Sequence, residues 1–222
     1  MDHPPADGVA AVAVLDEPTR RRLYEYVARH PTALSRDEIA TALRVPRATV
    51  AFHLEKLVDE DLLDVGYERR NGRSGPGAGR PAKVYRRSQR QVAVQLPERR
   101  YDLAGHLLAT AVEEADRTGQ PVRAVLERQA YRFGRRLGET THTDGVVAAL
   151  EAQGFEPRTE GTQVLLGNCP FHTLAREHTQ TICAMNLNLL DGLLTGIGDT
   201  GLTASLDPQP GHCCVRLRPP SA

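Results

Sequence analysis

Apolar positions recur at helical spacing along most of this chain and alternate at strand spacing in a few short stretches. Residues 1–7 are polar and proline-bearing, and Gly8–Leu15 reads as a short Ala/Val helix. Pro18–Arg29 is the next helix. Pro18 sits where a first-turn proline is tolerated, Leu23, Val27 and Tyr24 form the inner face, and His30-Pro31 stops it. Ser35-Arg36-Asp37-Glu38 is a capping box that opens a helix to about Leu43. After the turn Arg44-Val45-Pro46, Val50, Leu54 and Leu57 fall at i, i+4 and i+7, one apolar stripe. Arg47, Thr49, Phe52 and Lys56 point away from it. Two short helices on a tight turn, the second showing Arg, Thr and an aromatic ring, predict a helix-turn-helix.

Leu62–Tyr67 and Ala82–Arg86 read as two strands around Asn71–Gly79, a stretch of turn chemistry. That is a β-hairpin with a long basic tip, a wing. In Gly79-Arg80-Pro81, glycine permits close backbone approach, proline stiffens the exit, and Arg80 suits a narrow minor groove. Ser88–Pro97 reads as a short strand or linker. Arg99–Thr118 and Pro121–Leu137 follow as two helices, a natural spacer between dimerising heads or an ordinary helical hairpin. The last third alternates differently. A helix over Asp144–Gln153 precedes a hairpin of Phe155–Glu160 and Gln163–Asn168. Helical sequence over Leu174–Glu177 and Thr179–Thr195 comes next, then strands Thr203–Asp207 and Cys213–Leu217. The predicted fold is α+β: a winged helix-turn-helix over residues 1–96, a helical spacer or dimerisation segment over 97–140, and a small α+β sensor domain over 141–222. The last has a four-stranded, mainly antiparallel sheet with helices on one face.

Composition sharpens this picture only through its distribution. The net charge is zero, yet residues 1–100 carry 18 basic against 14 acidic residues and residues 101–222 carry 10 against 14. Residues 69–90 hold eight basic residues and no acidic one, the footprint of a polyanion partner or of a solvated loop. No apolar run approaches the ~18 residues of a membrane span, and the N-terminus lacks a signal-peptide pattern. A cytoplasmic protein without membrane contact is expected. In that reducing compartment, four cysteines point to metal ligation, redox sensing or buried thiols rather than structural disulfides.

All four, Cys169, Cys183, Cys213 and Cys214, lie in the last domain, with His172, His178 and His212 beside them. They fall in a loop after a strand, on the following helix, and at the start of the last strand, places that a four-stranded sheet and a covering helix can bring together. Thiolates suit zinc or an iron–sulfur cluster rather than hard cations. No C-x2-C pair is present, so the common zinc-finger spacing is excluded. On a regular strand Cys213 and Cys214 would face opposite sides, unless a bulge turns both inward. Buried free thiols as core residues are the alternative.

Residues 15–90 resemble the winged helix-turn-helix of the ArsR-type bacterial transcription regulators. The resemblance is carried by Leu15-Asp16-Glu17-Pro18-Thr19-Arg20, by Ser35–Ala40 and by Thr49–Leu57 leading to Asp61-Leu62-Leu63. It implies a homodimer on a roughly palindromic operator, and it matches His53 to a semi-buried histidine, so packing is favoured over base reading there. The metal-ligating residues of the arsenic- and zinc-sensing members have no counterpart, because no cysteine precedes Cys169. The tail from Gly167 (GNCPFHTLA…C…GHCCVRL) resembles that of the SufR-like iron–sulfur-cluster-binding repressors. That likeness matches Cys169, Cys183 and Cys213 to three ligand positions, leaving the fourth to Cys214, His172, His212 or an open site.

The expectation is a DNA-binding transcriptional regulator, a repressor, controlled by an iron–sulfur cluster on the C-terminal cysteines. The alternative is a winged-helix regulator whose C-terminal domain binds zinc or an organic effector, with structural cysteines. An enzyme using Cys169 and His172 as nucleophile and base is disfavoured, since nothing orients the histidine. The candidate DNA contacts are Arg47, Thr49, Phe52, His53 and Lys56 on the helix and Arg69, Arg70, Arg73, Arg80 and Lys83 on the wing.

Overall fold

The computed structural model of the chain describes residues 5–69, 81–141, 145–209 and 211–220. Two compact units divide at Val94/Gln95.

The first unit begins with α1 (Pro5–Ala13) and a 3-10 turn (Val14–Asp16), where the sequence suggested one helix to Leu15. Helix α2 (Pro18–Arg29) is capped by a residue the pattern did not single out. The Glu17 carboxylate accepts from the Thr19 and Arg20 amides. Helix α3 (Arg36–Leu43) opens on the expected capping box, Ser35 and Glu38 each serving the other's amide. It closes on Arg44 at φ 54°, a left-handed residue that turns the chain into α4 (Arg47–Asp59). The wing is β2 (Leu63–Glu68) against β3 (Ala82–Arg87), antiparallel from Leu63↔Arg87 to Glu68↔Ala82. A two-residue strand β1 (Leu34–Ser35), too short to leave a periodic signal, pairs with Tyr85 and Val84 and completes the order β1-β3-β2. Leu23, Val27, Ile39, Val50, Leu54, Leu57, Leu62 and Tyr85 meet in one core. The stripe read from α4 is therefore the side that faces inward. The tip over Asn71–Gly79, with Arg70, Arg73 and Arg80, lies outside the described residues, and Ser88–Pro97 forms neither strand nor helix.

The second unit contains α5 (Tyr101–Thr118), α6 (Val122–Thr141), α7 (Gly145–Glu151), β4 (Pro157–Glu160), β5 (Gln163–Leu166), α8 (His172–Glu177), α9 (Thr179–Ile197), β6 (Thr203–Leu206) and β7 (Val215–Arg218). Its four strands form one antiparallel sheet ordered β4-β5-β7-β6. Helices α5, α6 and α9 share their buried residues with the sheet in a single core. The closest approach is α6 on α9, glycine to backbone in both directions. A Cβ at Gly134 would overlap the Leu189 carbonyl oxygen, and one at Gly192 would overlap that of Tyr131. Gly138 and Gly196 meet Leu193 and Arg135 in the same way. Side chains would hold the helices apart; four glycines let their backbones touch.

Candidate nucleic-acid interface and thiol cluster

Helix α4 presents two different sides. Val50, Leu54 and Leu57 are fully buried, whereas Arg47 and Lys56 are exposed and Phe52 keeps 58% of its surface in solvent. A Phe this exposed at the centre of a helix gains nothing from folding. Thr49 is half-buried beside it. Arg47 reaches Asp37 of α3 at 3.2 Å and Lys56 reaches Asp59 at 3.7 Å, surface pairs weak enough to exchange for a phosphate. His53 is 8% exposed, its Nδ1 3.4 Å from Arg20 Nε and 3.5 Å from Glu17 Oε2, so it ties α4 to the cap of α2. On the wing, Arg69 is exposed. Lys83 donates to Glu55 of α4 at 2.6 Å, and the Tyr85 hydroxyl donates to the same oxygen at 3.1 Å. Strand β3 is thereby fastened to the exposed edge of α4.

This is the architecture of a domain that lays one helix in a major groove with a hairpin beside it. Residues 15–66 match a known family, the helix-turn-helix domain. The protein is a helix-turn-helix DNA-binding transcriptional regulator. No curated protein matches the chain. Among the described residues, no helix of the regulator is long and apolar enough to cross a membrane.

In the second unit the four cysteines come from three places. Cys169 lies after β5, Cys183 on the second turn of α9, and Cys213-Cys214 just ahead of β7. The chain bends at Cys214, and the vicinal pair precedes the strand rather than lying within it. All four are reduced, three of them buried. Cys169 and Cys213, Cys213 and Cys214, and Cys214 and Cys183 lie near enough to shift one another's ionisation. The four thiols do not ionise alike. The contact with Cys213 and then burial hold Cys169 far above the usual thiol range. Cys213 is pulled down by Cys169, but its contact with Cys214 and its burial push it up to about 12. Cys214 is raised to about 12 by Cys183 and burial, against Cys213. Cys183, favoured by Cys214, is lowered and is the first of the four to ionise. Among the described residues, no three His, Cys, Asp or Glu side chains stand arranged around a single metal ion. His172 and His212 are exposed.

Two features at this cluster leave no mark in sequence periodicity. The first is Asn186 on α9, whose Nδ2 donates to Cys213 Sγ at 3.2 Å. The second is a clasp around Asn168. Its Nδ2 donates to the Gly154 carbonyl at 2.6 Å and to that of Glu98 at 3.1 Å, and its Oδ1 accepts from Arg99. Arg99 also donates to the Cys169 carbonyl at 3.2 Å, the Arg100 amide donates to the Pro170 carbonyl at 3.0 Å, and the Tyr101 hydroxyl donates to Thr173 at 2.9 Å. Residues 98–101, which lead into α5, are thus laced to the loop that carries Cys169.

Proposed function

We propose that this regulator is an ArsR-type, SufR-like repressor, a cytoplasmic homodimer on a palindromic operator, whose DNA binding is set by an iron–sulfur cluster on Cys169, Cys183, Cys213 and Cys214. The observation that carries the reading is that Cys169, Cys183, Cys213 and Cys214, from three separate elements, lie near enough to shift one another's ionisation, three of them buried. Four cysteine sulfurs are the donor set that such clusters take. Binding such a group would displace thiol protons, since the thiolate is the ligand. The bound group would supply an oxidisable centre whose gain or loss alters the Cys169 loop.

On the DNA side, Arg47, Thr49 and Phe52 of α4 meet base edges, while Lys56, Arg69 and Lys83 meet phosphates. Two α4 helices of a dimer, about one helical turn of DNA apart, read the two half-sites. A change at Cys169 reaches residues 98–101 through Arg99 and Asn168, and those residues lead into α5, the first of the two helices assigned to dimerisation.

Anaerobic purification tests the sensor reading. Iron and sulfide in the protein with broad visible absorption is the expected result. A colourless protein without iron, or one holding only zinc, rejects it. Arg47→Ala tests the DNA reading: it should weaken binding to an operator fragment by about 1–3 kcal/mol and relax specificity at the base it reads, and unchanged affinity rejects the assignment.

A further inference from the structure

Asn186 is the polar residue in the second unit that folding explains least. It lies three residues after Cys183 on α9, 1% exposed, in a stretch with Ile182, Met185, Leu189 and Leu190. Its Nδ2 donates to Cys213 Sγ at 3.2 Å, and its Oδ1, fully buried, has no hydrogen-bond partner. Burying an amide oxygen without a donor is unfavourable, and a leucine, which has the same branched skeleton, would avoid it. Stability alone favours an apolar residue here, so the reason for the amide lies in the sulfur its nitrogen touches.

We propose that Asn186 is a positioning residue of the thiol site, donating its N–H to the Cys213 sulfur in the ligand state and thereby setting how tightly, and at what potential, the site holds its metal. The proposal rests on the thiol-ligand reading above. An N–H donor to sulfur strengthens as thiol becomes thiolate, because the acceptor gains a full charge. Hydrogen bonds to ligand sulfurs are among the groups that set cluster potentials. Asn186 donates through its side chain, so substitution can remove the donor.

The test compares full-length wild type, Asn186→Leu and Asn186→Ala. The readouts are melting temperature, iron content with the visible midpoint potential after anaerobic purification, and Cd2+ titration of iron-free protein followed by its thiolate-to-metal charge-transfer band. The Leu variant should melt no lower than wild type; Ala covers the case in which Leu does not fit. Both should bind Cd2+ about tenfold more weakly or worse, the usual effect of losing an outer-shell partner. Their midpoint potential should fall as a donor to sulfur is lost. Equal Cd2+ affinity in all three proteins, or an unmoved potential where iron is present, overturns the proposal. The Cd2+ arm needs no iron. An iron-free wild type with Asn186-dependent Cd2+ binding would sink the cluster reading and uphold this one, and a wild type that takes up neither metal would overturn both.

Discussion

Replacing Gly192 by alanine tests the backbone contact between α6 and α9. In an ordinary helix interior the change would stabilise by about 1 kcal/mol, since alanine loses less backbone entropy on folding. Here the new Cβ would overlap the Tyr131 carbonyl oxygen and stand 3.0 Å from the Arg135 amide nitrogen. Both obstacles are backbone, so no rotamer change relieves them and α9 must move away from α6. A gap of ~0.5–1 Å forfeits a quarter to a half of each dispersion contact across the seam. Overpacking of this kind costs about 3 kcal/mol, the upper end of the usual range. The net is a loss of about 2 kcal/mol. For a unit spanning residues 95–222 that lowers the melting temperature by about 6–10 °C. The assay is calorimetry of the full chain, with Gly105→Ala as control. Gly105 is exposed within α5 and a Cβ there meets nothing within 4 Å, so that variant should gain up to about 1 kcal/mol. If Gly192→Ala melts at or above wild type, as the control should, the two helices are not in backbone contact and the packing argument fails.

Other expectations follow from the same contacts. Leu54→Ala should cost about 2–5 kcal/mol in chemical denaturation, because the side chain is fully buried in the first core. Phe52→Ala should leave that midpoint within about 0.5 kcal/mol of wild type while reducing operator affinity in a gel-shift titration, since the ring is mostly in solvent. Asn168→Ala removes bonds to Gly154, Glu98 and Arg99, and should cost about 2–3 kcal/mol and speed amide exchange at Arg100, measured by hydrogen exchange. The Lys83–Glu55 pair gives a pH signature. The hydrogen bond from Lys83 holds Glu55 below the carboxylate value of 4.5, and the bond to Glu55 holds Lys83 above 10.5. Its stabilisation is complete between those two values. It is lost as pH falls through the lowered Glu55 value or rises through the raised Lys83 value. Glu55 keeps 50% of its side chain in solvent, so Lys83→Met should cost under about 1 kcal/mol at neutral pH, and the difference from wild type should vanish in acid melts.

Much of the first unit was legible along the chain because its signals are local. The capping box at Ser35, the turn at Arg44-Val45-Pro46 and the stripe Val50-Leu54-Leu57 each occupy a few consecutive residues, and each dictates backbone geometry there. The α-β-β-α-β-β order of the last third was legible for the same reason, and so was its antiparallel sheet. Other features depended on residues distant in sequence. The strand Leu34–Ser35 exists only because Tyr85 and Val84 come alongside it. His53 is buried because Glu17 and Arg20 close over it from α2.

The sequence by itself determined where the helices and most strands run, which side of α4 is apolar, and that every cysteine belongs to the last third. Those properties follow from spacing and composition, which act at short range. The tertiary structure decided that Cys169, Cys183, Cys213 and Cys214 lie near enough to shift one another's ionisation, and that Asn186 points its nitrogen at one of the four sulfurs. It also decided that Gly134, Gly138, Gly192 and Gly196 face one another across two helices. Such facts depend on how elements separated by tens of residues pack, and packing distances of a few ångströms are not encoded in the period of any one element.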